Sequence, residues 1–253
     1  THNHDDDFSF SVPGIGRFRV NVFRQRGSYG AVIRVIPFEL PQPEDYHIPP
    51  EVLAFADLQK GLVLVTGPAG AGKSTTLATI IDKLNHTRQG HIVTMEDPIE
   101  YVHRHGTCIV TQREIPTDIA TYAEALRSAM RESPDVILLG EMRDQETIST
   151  AVTAAEMAQL LFSTLHTTGA ANTIDRIIDA FPANQQRQIR NLIREEKTHQ
   201  MDSVIAAGGD EGMITMDQSL FNLVKSGQVA KEVALQCSIH QDALEKRFAA
   251  EGL

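Results

Sequence analysis

The stretch Gly67-Pro68-Ala69-Gly70-Ala71-Gly72-Lys73-Ser74-Thr75 narrows what this chain can fold into more than any other. It satisfies G-x-x-x-x-G-K-[ST], and it follows the apolar run Leu62-Val63-Leu64-Val65 and precedes a helix-forming run. That strand-to-helix context is what the pattern needs in order to cradle phosphate. Average residue frequencies produce such a match in a chain of this length only on the order of one time in a hundred. The glycines let backbone N–H groups converge on phosphate oxygens at a helix N-terminus, Lys73 neutralises the β- and γ-phosphates, and the Ser74 hydroxyl ligates magnesium. ATP and Mg2+ are therefore the expected ligands, and the expected architecture is α/β.

From Glu51 onward short apolar runs alternate with helical segments, the pattern of a parallel sheet covered on both faces. The runs predict strands at 62–66, 91–96, 107–111, 135–140 and 160–164, with helical periodicity from Tyr122 to Met130 and from Glu146 to Met157. Residues 8–38 instead alternate apolar and polar between glycine-containing turns, which predicts an antiparallel sheet fragment. Five prolines between Pro37 and Pro50 interrupt any helix there. The expected plan is a partial N-terminal domain over 1–40, a linker over 41–50, and one large domain over 51–253 with a helical, polar tail from Asn191 that breaks at Gly208-Gly209.

Further candidates gather after the predicted strands. Asp135-Val-Ile-Leu-Leu-Gly-Glu141 is an apolar run ending in a carboxylate, where an acid associated with magnesium projects from the C-terminal edge of a parallel sheet. Thr94-Met-Glu-Asp-Pro-Ile-Glu100 reaches the same edge. A carboxylate there either orients the water that attacks the γ-phosphate or caps a surface turn. His166 follows the next strand and either senses the γ-phosphate or serves as a packed structural histidine.

Composition removes other classes. The net charge of −10 opposes a nucleic-acid coat, which needs clustered positive surface. No run approaches the roughly eighteen apolar residues of a membrane span, so no stable membrane insertion and a cytoplasmic location are expected. Two isolated cysteines, Cys108 and Cys237, supply neither a disulfide framework nor a four-cysteine metal site.

Taken together, GPAGAGKSTT, TMEDPIEY, ILLGEMRD and STLHTTGAANTIDRIIDAFP resemble the secretion-type ATPases, and NLIREEKTHQMDSVI resembles a segment of their pilus-retraction branch. The resemblance spans almost the whole chain, from SVPGIGRFRVNVFRQRG onward. It implies a RecA-like P-loop NTPase core beside a small N-terminal PAS-like α+β domain, assembled as a homohexamer. The implied activity is Mg-dependent ATP hydrolysis that powers retraction of type IV pili from the inner-membrane base, where a platform protein is the implied partner. The pilus-extension or type II secretion ATPases of the same superfamily, or a catalytically weak ring subunit, are the alternatives. By the same resemblance Lys73 and Ser74 are Walker A residues, Glu100 activates water, Glu141 is the Walker B acid and, with Ser74, a magnesium ligand, and His166 is the His-box residue. Arg17, Arg19 and Arg34 lie where the family supplies arginines to a nucleotide. The chain departs from the family at Ala154-Ala-Glu-Met-Ala-Gln159, and it runs directly from Arg190 to Asn191 where the family has several tens of further residues.

Overall fold

In a computed structural model of the chain, the described residues are 6–36, 39–182, 205–206, 208–209 and 212–253. The junction at Arg190 and the segment 191–204 lie outside them. Packing divides the chain into two units, Thr1–His166 and Thr167–Leu253, whereas the sequence pattern keeps 51–253 together.

Among the described residues the first unit contains two sheets. β1 (Asp6–Val12), β2 (Gly16–Gln25) and β3 (Ser28–Ile36) form an antiparallel meander. Its register sets Arg17 opposite Ile36 and Arg19 opposite Arg34. Side chains two apart share a face of a strand, so Arg17, Arg19 and Arg34 stand on one side of this sheet. A short helix α1 (Pro50–Leu53), opened by proline in its first turn, leads into the second sheet.

That second sheet is five-stranded and parallel in every pairing, in the order β4 (Gly61–Thr66), β8 (Leu160–Leu165), β7 (Val136–Leu139), β5 (Gly90–Glu96) and β6 (Cys108–Glu114). All five strands fall where the apolar runs predict them. β6 runs three residues past the expected Thr111, through Gln112-Arg113-Glu114.

Helix α2 (Lys73–Thr87) buries Leu77, Ile80, Ile81 and Leu84, the 3–4 spacing of one helix face, against Ile92, Val110, Val136, Leu138 and Phe162. Residues of the other strand parity, Val93, Met95, Ile137, Leu139 and Leu161, are buried as well. On that side pack α3 (Tyr122–Ala129) and α4 (Gln145–Glu156). Both are capped as their sequences allow: Thr121 Oγ1 accepts from the Glu124 N–H, and Asp144 Oδ1 from the Thr147 N–H. Each fully buried Ile or Leu contributes about 1.5–3 kcal/mol by leaving water, so this two-sided core holds the strand ends rigidly.

Among the described residues the second unit is helical: α5 (Ala170–Asp179), α6 (Met216–Lys225), α7 (Lys231–Cys237) and α8 (Gln241–Glu251). Phe221 and Phe248 stack at 5.6 Å between ring centres inside a cluster with Leu220, Ala234 and Leu244. Asp217 holds the start of α8 by accepting from Ser238 Oγ and from the N–H groups of Ile239 and His240. Among the described residues no helix is long and apolar enough to cross a membrane.

Candidate active site

Parallel pairing sends the C-terminal ends of β4, β5, β7 and β8 to one edge, and four loops meet there around a cleft of about 250 Å3. Of the sequence candidates, Ala69, Gly70, Lys73, Ser74, Glu100, Glu141 and His166 line this cleft, with Glu96 and Asp97 beside them.

The loop after β4 turns into α2 through Gly70 and Gly72, whose φ values of 78° and 85° lie in the left-handed region, and Gly72 is the residue that caps the helix. Lys73 folds back, its Nζ donating to the carbonyls of Gly67 at 3.0 Å and Pro68 at 2.9 Å. Thr75 is not among the residues lining the cleft, and its hydroxyl meets that of Tyr101 at 3.1 Å, tying α2 to the loop after β5.

Glu141 is buried at the end of β7. Gly140 before it donates its N–H to the Met95 carbonyl at 2.7 Å and accepts from Thr164 Oγ1 at 2.6 Å, so the acid is pinned between β5 and β8. A side chain at 140 has no room: a Cβ there would stand 2.8 Å from the Tyr122 hydroxyl and 3.1 Å from the Met95 carbonyl. The Glu141 carboxylate pairs with Arg143 and lies 3.7 Å from His166 Nε2. That hydrogen bond to Glu141 raises the Arg143 pKa.

Glu96 forms the floor. Burial pushes its carboxyl up to about 7, against the hydrogen bonds from Thr94 and Gln112 that favour the charged form. Burial, together with the carboxylates of Glu141, Asp97 and Glu96, raises the Tyr122 hydroxyl. The cleft therefore concentrates acidic oxygens opposite one lysine, an arrangement that accepts a polyanion only with cations to balance it.

The three N-terminal arginines are not brought into this cleft. Arg19 and Arg34 line a separate cavity of about 180 Å3 with Glu100 and Tyr101, and Arg17 pairs with Glu114 at 2.6 Å. Sequence reasoning did not single out Arg143 or Tyr122. The available signal for Arg143 was its place two residues beyond the strand-terminal acid; for Tyr122, on a helix far along the chain, there was none.

Comparison with known proteins places the chain in company. Residues 44–238 match the family described as Type II/IV secretion system protein. The type IV pilus retraction ATPase PilT of Pseudomonas aeruginosa is 46% identical, over 91% of this chain and 78% of its own length. A twitching motility protein of Neisseria gonorrhoeae is 44% identical, over 92% and 72% respectively. The crystal structure of the pilus retraction motor PilT with bound ADP superposes with a TM-score of 0.89 at 44% identity, covering 96% of this chain and 80% of that one.

Proposed function

Because the chain belongs to the type II/IV secretion system protein family, we propose that it is an ATP-hydrolysing motor whose work is the retraction of type IV pili. One observation carries the reading: Lys73 and Ser74 of the P-loop and the carboxylates of Glu100 and Glu141 line the same cleft.

In that cleft the nucleotide phosphates replace the two carbonyls as partners of the Lys73 ammonium, which then faces the β- and γ-phosphates. The exposed Glu100 orients the attacking water and accepts its proton. The Ser74 hydroxyl and the Glu141 carboxylate are hard oxygen donors lining one cleft, a set that suits magnesium. When bound with the nucleotide, that ion neutralises charge on the phosphates. Arg143 releases Glu141 for this role, and His166, beside Glu141, reads the occupied state. Arg19 and Arg34 serve nucleotide from their own cavity next to Glu100. The working form is a homohexamer in the cytoplasm at the inner-membrane base of the pilus, engaged with a platform protein, and the residues 191–205 pass domain motion to that machinery.

The test is Lys73→Ala, measured as ATP turnover in vitro and as pilus length in cells. Turnover is expected to be abolished, and cells carrying the variant to keep long pili that fail to retract. Near-normal turnover would remove the site assignment, and cells without pili would make the protein an extension motor.

A further inference from the structure

The face of β6 carrying Gln112 and Glu114 bonds outside the sheet. The two side chains, two residues apart, point the same way. Gln112 Nε2 donates to the Tyr101 carbonyl at 3.0 Å, and Gln112 Oε1 accepts from the His103 N–H at 2.7 Å. Glu114 Oε2 accepts from the Ile99 N–H at 3.1 Å. The backbone at 99, 101 and 103 is thus hung from side chains of β6 at alternate residues, in place of a paired strand. Glu100, the residue assigned to the water, sits between the first two of these points.

The same oxygen of Glu114 has a second partner. Arg17 Nη2 of β2 donates to it at 2.6 Å, with side-chain exposures of 21% for Arg17 and 5% for Glu114. A buried carboxylate requires such compensation, and removing one partner leaves an uncompensated charge. One atom therefore joins the antiparallel sheet to the backbone immediately before Glu100.

We propose that Glu114 is a positioning residue for hydrolysis and that Arg17 acts on the reaction through it rather than by touching the nucleotide. The inference rests on Glu100 being the group that orients the water. Small displacements of such a group lower turnover roughly ten- to a hundredfold without touching substrate affinity. The N-terminal sheet thereby sets how well the acid loop is aligned, and a shift of that sheet changes the rate of the chemical step.

The experiment measures kcat and the Kd for a fluorescent ATP analogue in the full chain carrying Glu100→Gln, Arg17→Met, Arg17→Lys, Glu114→Gln and the pairs. Arg17→Met keeps the aliphatic stem packed and should lower kcat about tenfold, with Kd unchanged within about twofold. Arg17→Lys should recover much of that loss. In the Glu114→Gln background, and again in Glu100→Gln, adding Arg17→Met should have no further effect on residual turnover. The Glu100→Gln pair leaves Glu114 untouched, so it gives the answer even if Glu114 variants fold poorly. Weakened nucleotide binding in Arg17→Met, or the same fold-loss of kcat in every background, overturns the proposal and makes Arg17 a direct contact. Normal turnover in Glu100→Gln instead removes the assignment of Glu100 itself.

Discussion

Glu96, half-buried at the cleft, and His103, buried, are titratable groups whose demands oppose one another. The Glu96 carboxyl is raised from 4.5 to about 7, so its contribution to stability is full below pH 4.5 and is lost as pH rises towards 7. Burial and the nearby His86 lower His103 from 6.5 to about 4; its contribution is full above pH 6.5 and is lost as pH falls towards 4. Between pH 4.5 and 6.5 the two largely cancel. Glu96→Gln keeps an acceptor for Thr94 and Gln112 but removes the titration, which is worth on the order of 3 kcal/mol. The melting temperature of that variant minus that of the parent should therefore rise by several degrees between pH 5 and pH 8. A difference that stays flat with pH would mean Glu96 is ionised throughout. A second residue-level outcome concerns Glu100→Gln, in which nucleotide binding should persist while hydrolysis falls by about a hundredfold or more. That Lys73, Ser74 and Glu141 meet at one sheet edge was legible in the sequence, because each lies in a motif or just past a strand end. Arg143 was not, because its importance is a pairing with Glu141 that only the folded loop creates.

The strands show what periodicity can and cannot carry. Runs such as Val136-Ile-Leu-Leu139 are buried on both faces and announce themselves as continuous apolar sequence. Gln112-Arg113-Glu114 reads as loop because it is polar, yet it is the end of β6, and two of its side chains carry the backbone of residues 99–103. Side-chain work of this kind is invisible to a hydrophobic pattern. Helix starts are more readable, since a cap needs one residue type at one position. Asp144 holds the first turn of α4 through the Thr147 N–H and hydroxyl. Asp144→Ala should destabilise the protein by about 1 kcal/mol and Asp144→Asn by much less. Thermal melting of the two variants checks this, and equal losses would show that charge rather than the cap geometry matters.

For the molecule as a whole, the placement of the arginines bears on assembly. Within one chain Arg19 and Arg34 line a cavity that shares Glu100 with the P-loop cleft but lies outside that cleft, and the ring proposed above would let neighbouring chains complete each site. Specific ATPase activity should then climb with protein concentration and level off as rings form; a value constant across that range would make each chain self-sufficient. The division after His166 was not legible in the sequence, because the apolar pattern does not change character there. The glycines of the cleft also differ in what they forbid. Gly70 and Gly72 have open space where a Cβ would go and need only a left-handed backbone, which asparagine can adopt, while Gly140 has an ordinary backbone and no vacant volume. In a library of variants selected for folding alone, positions 70 and 72 should admit asparagine beside glycine, and 140 should return glycine at every round. The route by which related sequences diverge is then closed at the residue beside the buried acid and left ajar in the loop that greets the phosphates.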